Sequence, residues 1–334
     1  MTETLRYFGY GKETTFGTAV DAVQHVDVAS TTLDTPQGAE IIVSGGMGRG
    51  ALRKRPGFYS PSGNIEYAWD IRSIGWMLRL ALGGYTFTTG ETGPPKVFNL
   101  HEIYGNNNVV LPSFTARCGK DNFEHIFPGS VIDTLSLSVQ DNLASATVGV
   151  LSQKDAKATL QQPADLLLPT EYPFAFYDFT GTINSVDKSA IIQNFTLDIA
   201  NNVNQQSGRT IGSRHPRKFR AGDRVCSLSV SLDFEDLTYL EAFWGSATGP
   251  VNLGSTIIPF KINGQASATE GSIEFNFPHM VIMGIQTQPR GREAITQTLR
   301  LQAITDPDLM LADGTTEVST DIYVKLQNDE PTMA

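Results

Sequence analysis

Cysteine is nearly absent from this chain: 334 residues contain two, Cys118 and Cys226. That is too few for a disulfide framework or a cysteine-based metal knuckle, so each is expected as a small buried residue on a strand. No apolar run approaches the roughly 20 residues that a membrane-spanning helix needs. The opening MTETLRYFGY also lacks the basic-then-apolar order of a secretion signal. The expectation is a protein made and kept in a cytoplasm. Charged residues are sparse at 18%, but 40% of the chain is hydrophobic, which is enough for a folded core in one large domain or two ordinary ones.

Catalytic signatures are missing too. The five histidines (His25, His101, His125, His215, His279) have no histidine or cysteine neighbour at metal-ligand spacing. Glu124 and His125 are adjacent, so on a strand they point to opposite faces. No Gly-x-Ser-x-Gly elbow occurs. GGMGRG is glycine-rich, but no lysine–serine pair follows it and no helix opens on it. DPDLMLADGTTE (306–317) has acids without the order of an EF-hand. No nucleophile has a plausible base. The expectation is a protein that is not an enzyme, with no catalytic residues, no metal and no cofactor.

What the chain does have is alternation of period two. NIEYAWDI (64–71) sets Ile65, Tyr67, Trp69 and Ile71 against Asn64, Glu66, Ala68 and Asp70. VCSLSVSLDF (225–234) sets Cys226, Leu228, Val230, Leu232 and Phe234 against Ser227, Ser229, Ser231 and Asp233. Residues 132–139 and 146–151 alternate as well, with DNLA as a hairpin turn between them. Such strands have one buried and one wet face, as antiparallel sheets do. Two helices are expected, 72–82 and 235–244, the second with Leu237, Leu240, Phe243 and Trp244 on one stripe.

Each helix directly follows an alternating strand, which suggests a repeat. Asp70-Ile71 matches Asp233-Phe234 at an offset of 163. Phe127-Pro128 matches Phe277-Pro278 at 150, and 147–151 lies over 297–301 at the same offset. The reading is a tandem duplication: a first unit over 1–160, a linker over 161–172 and a second unit over 173–334.

Charge is segregated. Residues 45–63 (GGMGRGALRKRPGFYSPSG) carry Arg49, Arg53, Lys54 and Arg55 without one carboxylate. Residues 201–224 carry Arg209, Arg214, Arg217, Lys218, Arg220 and Arg224 with one acid, Asp223. Both read as loops, and they sit on a chain of net charge -10.

The order of these segments resembles the tail tube (major tail) proteins of long-tailed phages, in a tandem-duplicated form. The resemblance lies in YFGYGKETTFGTAV as an N-terminal arm and in RKRPGFYSPSGNIEYAWDIRSIGWMLRLALGG as loop, strand and helix. VIDTLSLSVQDNLASATVGVLSQKDA is similar to the tube hairpin, and FPHMVIMGIQTQPRGREAITQTLRLQAITDPD to the closing hairpin of the second unit. Residues 85–110 and 173–192 match nothing in that pattern. The resemblance implies a mainly β fold: two β-sandwich or split-barrel units, each with one short flanking helix. It implies inner strands near 28–34, 64–71, 131–139 and 145–151, then 193–200, 225–234, 280–288 and 294–303. It implies homotrimeric rings that stack into a tube, with tape-measure and terminator proteins as further partners, DNA passing through the lumen without specific binding, and no membrane. The place would be the virion tail, assembled in a bacterial host's cytoplasm.

In that setting the expected inter-ring residues are Arg49, Arg53, Lys54, Arg55, Arg209, Arg214, Arg217, Lys218 and Arg220. The expected lumen residues are Glu66, Asp70, Ser136, Ser138, Ser227, Ser229, Ser231, Asp233, Thr296 and Thr298. Two other classes compete: a DNA-binding protein gripping phosphate with its basic loops, and a tail-tip carbohydrate-binding β-sandwich. Overall acidity and the lack of aromatics among the basic residues weigh against the first. Scarce aromatics on the wet faces weigh against the second.

Overall fold

The computed structural model describes all residues except 1–5, 38–39, 45–50, 91–97, 109, 141, 255, 268, 288–294 and 334. It is mainly β. The chain opens with β1 (Arg6–Lys12), β2 (Gln24–Asp27), β3 (Ser30–Thr31), β4 (Glu40–Ser44), β5 (Ala51–Pro56) and β6 (Ser62–Ala68). Helix α1 (Ile71–Leu82) follows, then β7 (Gly83–Thr88), β8 (Asn99–Gly105), β9 (Phe114–Lys120), β10 (Phe123–Val139), β11 (Ser145–Leu151) and β12 (Ala156–Ala158). The second half holds β13 (Phe179–Ile183), β14 (Val186–Asp187), β15 (Ile192–Ala200), β16 (Val225–Asp233), α2 (Thr238–Trp244), β17 (Ile257–Ser267), β18 (Gly271–Thr287), β19 (Thr296–Ala303), β20 (Asp306–Met310), β21 (Glu317–Thr320) and β22 (Tyr323–Asn328).

The alternating segments lie side by side in one antiparallel sheet, in the order β3–β6–β11–β10–β15–β16–β19–β18. Its dry face carries Ile65, Tyr67, Leu135, Leu137, Val148, Leu197, Leu228, Val230, Leu299 and Leu301, all buried. Burying one such side chain is worth about 1.5–3 kcal/mol, far more than a hydroxyl gains on either face, so the apolar set decides which way each strand turns.

The first four strands and the last four follow one plan. β10 shifts register between Ile132 and Thr134, and β18 between Ile282 and Gly284. Those bulges align Ser136 with Gln286, and the pairings that follow align Thr147 with Thr298, Glu66 with Ser231 and Asp34 with Asp198. The offsets matched from sequence were therefore slightly off. Strands 147–151 and 298–302 correspond at 151 rather than 150, and β6 and β16 at 165 rather than 163. Similar residues occur on both sides of a one-residue slip, which letters alone do not resolve.

β10 and β18 are each 17 residues long and serve two layers. Their N-terminal halves join the outer strands β9 and β12, or β17 and β22, and their C-terminal halves join the main sheet. In β10 the corner comes at Phe127-Pro128-Gly129: pairing with β9 shifts there, proline offers no N–H, and Gly129 takes a positive φ of 68°. Phe127 and Phe277 are both wholly buried beside the two prolines.

Within the stretch 85–110, which matched nothing, residues 85–88 and 99–105 have a clear place as parts of β7 and β8. β8 pairs with β22 from the far end of the chain, and β7 pairs with β8. The early hairpin thus extends the outer sheet of the second half, and the halves interlock. Ten of the twelve α1 residues are buried, so the helix is surrounded rather than merely laid on a surface. It ends at Gly83, whose φ of 84° suits a residue without Cβ. The other helix is shorter than expected. Asp236 Oδ1 accepts from Thr238 N and delays its start. The stripe is also rotated, with Tyr239, Ala242 and Phe243 against the core and Leu237 exposed.

Both cysteines are free, buried and on strands, as expected, and burial pushes the Cys118 thiol up to about 12. Residues 161–172 do not hang free: His25 N donates to Leu167 O at 2.9 Å, and Leu167 N donates to His25 Nδ1 at 3.1 Å.

Candidate assembly surfaces

The wet face of the main sheet is built from rows of paired residues. One row reads Ser30, Glu66, Thr147, Ser136, Asp198, Ser227, Gln302. Another reads Asn194, Ser231, Thr298, Gln286. Ser138 and Thr196 hydroxyls meet at 3.4 Å, as do those of Ser231 and Thr298, and Ser30 donates to Glu66 at 3.0 Å. Glu66, Asp233 and Thr296 are exposed; Ser136, Ser138, Ser227, Ser229, Ser231 and Thr298 are half-buried.

Asp70 does not belong to this set. Its side chain is buried and caps α1, accepting from Arg72 N at 2.8 Å and Ser73 N at 2.9 Å, while Ser73 Oγ accepts from Asp70 N. Burial raises its carboxyl pKa above the ordinary value, and the bonds from Ser73 and Arg72 only partly offset that. Sequence alternation placed it on the wet face because nothing in the period shows where a strand ends and a cap begins. Asp70→Ala is therefore expected to cost about 1 kcal/mol of stability, as a lost N-cap does. Thermal unfolding followed by circular dichroism checks it; an unchanged midpoint would contradict the capping role.

Among the exposed wet-face residues that escaped the sequence reading are two charged ones, Asp198 and Arg300. The signal was present: Leu197 and Ile199 flank Asp198, and Leu299 and Leu301 flank Arg300.

The basic segments differ from expectation and from each other. Residues 40–44 and 51–56 pair as a two-stranded ribbon, β4–β5, where an irregular loop was expected. Cross-strand pairs put Ile41 beside Arg55 and Ile42 beside Lys54, and β-branched residues favour that pairing. Arg53, Lys54 and Arg55 are exposed on it; Arg49 lies outside the described residues. Residues 201–224 fold back onto the ribbon's root. Tyr59 N donates to Arg214 O at 2.8 Å, Arg214 Nε to Gly57 O at 3.0 Å, and Gln153 Nε2 to Pro216 O at 2.9 Å. The Arg209 and Arg214 guanidiniums lie over the rings of Phe58 and Tyr59. Arg217, Lys218 and Arg220 are exposed.

Both basic segments leave from the same end of the main sheet, beside the Asp34–Ser62 bridge and the end of β15. Nearby, Asp155 accepts from Thr35 Oγ1 and Tyr59 Oη and contacts His125 Nε2 at 2.9 Å. Burial would raise the Asp155 carboxyl, but those bonds outweigh it and hold the group below its ordinary range. At the opposite end the exposed acids include Asp27, Asp233, Glu235 and Asp236. There Arg72 also binds Glu171 at 2.7 Å, Asp329 at 2.7 Å and Glu330 at 3.3 Å, fastening the start of α1 to both the mid-chain and the C-terminal segments.

The sheet has two open edges. Among the described residues, β3 pairs only with β6, and residues 284–287 of β18 pair only with β19. No group of His, Cys, Asp and Glu able to hold a metal occurs among the described residues, and no helix there is long and apolar enough to cross a membrane.

A family model described as phage tail tube protein matches residues 5–303, nearly the whole chain. The chain belongs to the phage tail tube family. Comparison with curated proteins finds no match. Membership makes this a structural protein of the phage tail, a component of the virion that assembles with itself and other tail proteins. For a tail tube protein the relevant sites are surfaces, and three have now been described: a hydroxyl-rich face, a pair of open edges and a basic end facing away from an acidic one.

Proposed function

We propose that three copies close into a ring of six β units and that rings stack into the tube that carries DNA from capsid to host. One observation carries this reading: the internal joint β10–β15 pairs strands that correspond to the two open edges, β18 and β3. The same joint made between chains continues the sheet, and closure leaves no edge to pair at random. The corresponding strand order and bulges support a tandem duplication, with units over 1–160 and 173–334. Three two-unit chains then give six repeats.

The wet face is assigned to the lumen. It offers Glu66, Asp198 and Asp233 against Arg300, set among serines and threonines. A hydroxyl-rich, mildly acidic wall has few cations to trap phosphate, so DNA slides past without binding. An electron-microscopy map of the tube checks the face: these side chains belong on the inner wall. Tape-measure and terminator proteins are the further partners, and assembly takes place in a bacterial cytoplasm.

Stacking is head-to-tail, basic end on acidic end, a heterologous contact that propagates. Each exposed pair contributes only about 0–1 kcal/mol, but many act together in a ring. Negative-stain microscopy of the purified protein is expected to show rings and tubes. Replacing Arg53, Lys54 and Arg55 together by serine should leave folded rings that stack poorly, and raised salt should shorten wild-type tubes, because exposed charges are screened over about 8–10 Å at 0.1–0.15 M. Triple-variant tubes as long as the wild type's at equal salt would remove the ribbon from the contact.

A further inference from the structure

The stacking contact can be assigned to a particular acceptor. Beside the end of β3–β6 remote from the ribbon lies a groove of about 470 Å³, lined by Asp27, Val28, Leu143, Leu168, Glu171 and Pro173 among others. Leu143 and Leu168 are about half exposed, at 54% and 48%, although both are large and apolar. The charged side chains lining the groove are all carboxylates, and of these Asp27 is exposed, while Asp70 caps α1 and Glu171 is paired with Arg72.

The β4–β5 ribbon has the opposite character. Ile41 and Ile42 are exposed, at 55% and 65%. Ile41 sits beside Arg55, with Arg53 on the same face; on the other face Lys54 lies 3.5 Å from Glu40. The ribbon is a separate two-stranded sheet among the described residues, and an isolated hairpin is marginal in water. A ribbon with exposed isoleucines and an acid-free arginine face lacks a partner surface that is apolar and acidic. The groove is such a surface. Moreover, ribbon and groove lie at opposite ends of the same strand pair: the ribbon leaves beside the Asp34–Ser62 bridge, and the groove takes in Ala29 and Ala68. Translating a second copy along these strands brings one to the other.

We propose that the groove at Asp27, Leu143 and Leu168 receives the β4–β5 ribbon of a chain in the next ring, with Ile41 against the leucines and Arg53 and Arg55 toward Asp27. This rests on the tube reading above. Because residues 201–224 are folded back on their own chain, the ribbon is the single connector per chain. A ring then has three connectors, not six, and Arg214 is a positioning residue that steadies the ribbon's root.

The test is a full-length chain carrying Ile41→Cys and Leu168→Cys, assembled and then oxidised with diamide. The native cysteines are buried. A non-reducing gel should show a ladder extending well beyond the number of chains in one ring, absent from either single-cysteine variant. Leu168→Arg provides a second arm: rings should form, but long tubes should not. If wild-type tubes form while the double variant gives no ladder and Leu168→Arg stacks normally, the groove is not the acceptor and the tube reading stands. If the wild type forms neither rings nor tubes, both fall.

Discussion

Oxidised tubes of a chain carrying Asp34→Cys and Gln286→Cys are expected to run on a non-reducing gel as a short ladder that stops at three chains. The positions come from the internal joint, where Ser136 stands opposite Asp198. Ser136 corresponds to Gln286 through the matched bulges of β10 and β18. Asp198 corresponds to Asp34 because Asp198 pairs with Ser227 and Asp34 with Ser62, and Ser62 aligns with Ser227 when Glu66 aligns with Ser231. If the joint between chains repeats the joint within the chain, Gln286 of one subunit faces Asp34 of the next. Directly opposed residues on antiparallel strands have Cα atoms about 4.5–5.5 Å apart, within the range of about 4.4–6.8 Å that a disulfide bridges. Most of the protein should shift from monomer to a closed three-chain species. A monomer band alone would mean that these edges do not pair in this register; a six-chain end point would overturn the trimer. The ribbon-to-groove pair should instead give a ladder without that limit, so the two gels separate lateral from axial contacts.

The second large effect concerns Trp69. It closes β6, is wholly buried and contacts Phe174, Phe179 and Phe275 at centroid distances of 4.8, 5.6 and 6.5 Å. All three phenylalanines come from the second half of the chain, so this ring is where the halves share a core. Its backbone is held from both halves: Trp69 N donates to Ala144 O in the first, and Phe174 N in the second donates to Trp69 O, both at 3.1 Å. Trp69→Ala should destabilise by about 3–5 kcal/mol. With a urea slope of about 3 kcal/mol/M, the midpoint falls by about 1–1.7 M. Trp69→Phe should cost much less, because the buried Nε1–H has no hydrogen-bond partner to lose. Urea unfolding followed by far-ultraviolet circular dichroism distinguishes the two. Equal midpoints for the alanine variant and the wild type would show that the halves do not depend on this contact.

Much of this could be read from the letters, for a definite reason. On a half-buried strand the side chain alternates with the residue, so Leu228, Val230 and Leu232 against Ser227, Ser229 and Ser231 declare both the strand and its dry face. Helix α1 was legible for a similar reason, since its apolar run is bounded by Asp70 and Gly83. The segments 64–71, 132–139, 146–151 and 225–234 could be read because each carries its own pattern and needs no partner to reveal it, whereas 28–34, 193–200, 280–288 and 294–303 came from the family resemblance.

What the tertiary structure alone decided is whatever depends on a partner distant in sequence. The period of the strand at 64–71 cannot show that Asp70 turns in to cap a helix; that follows from α1 starting at Ile71. Composition cannot show that one basic segment becomes a ribbon while its counterpart is held by Gly57, Tyr59 and Gln153, contacts that span 60 to 160 residues. Nor can it show that β8 crosses to β22. By itself the sequence determined which strand faces are wet and where the charge lies, because those are local properties of side chains. Which strands lie side by side, and which edges of the sheet stay open among the described residues, was settled by register and long-range pairing. There a shift of one residue reverses every side chain, and only the packed sheet fixes it.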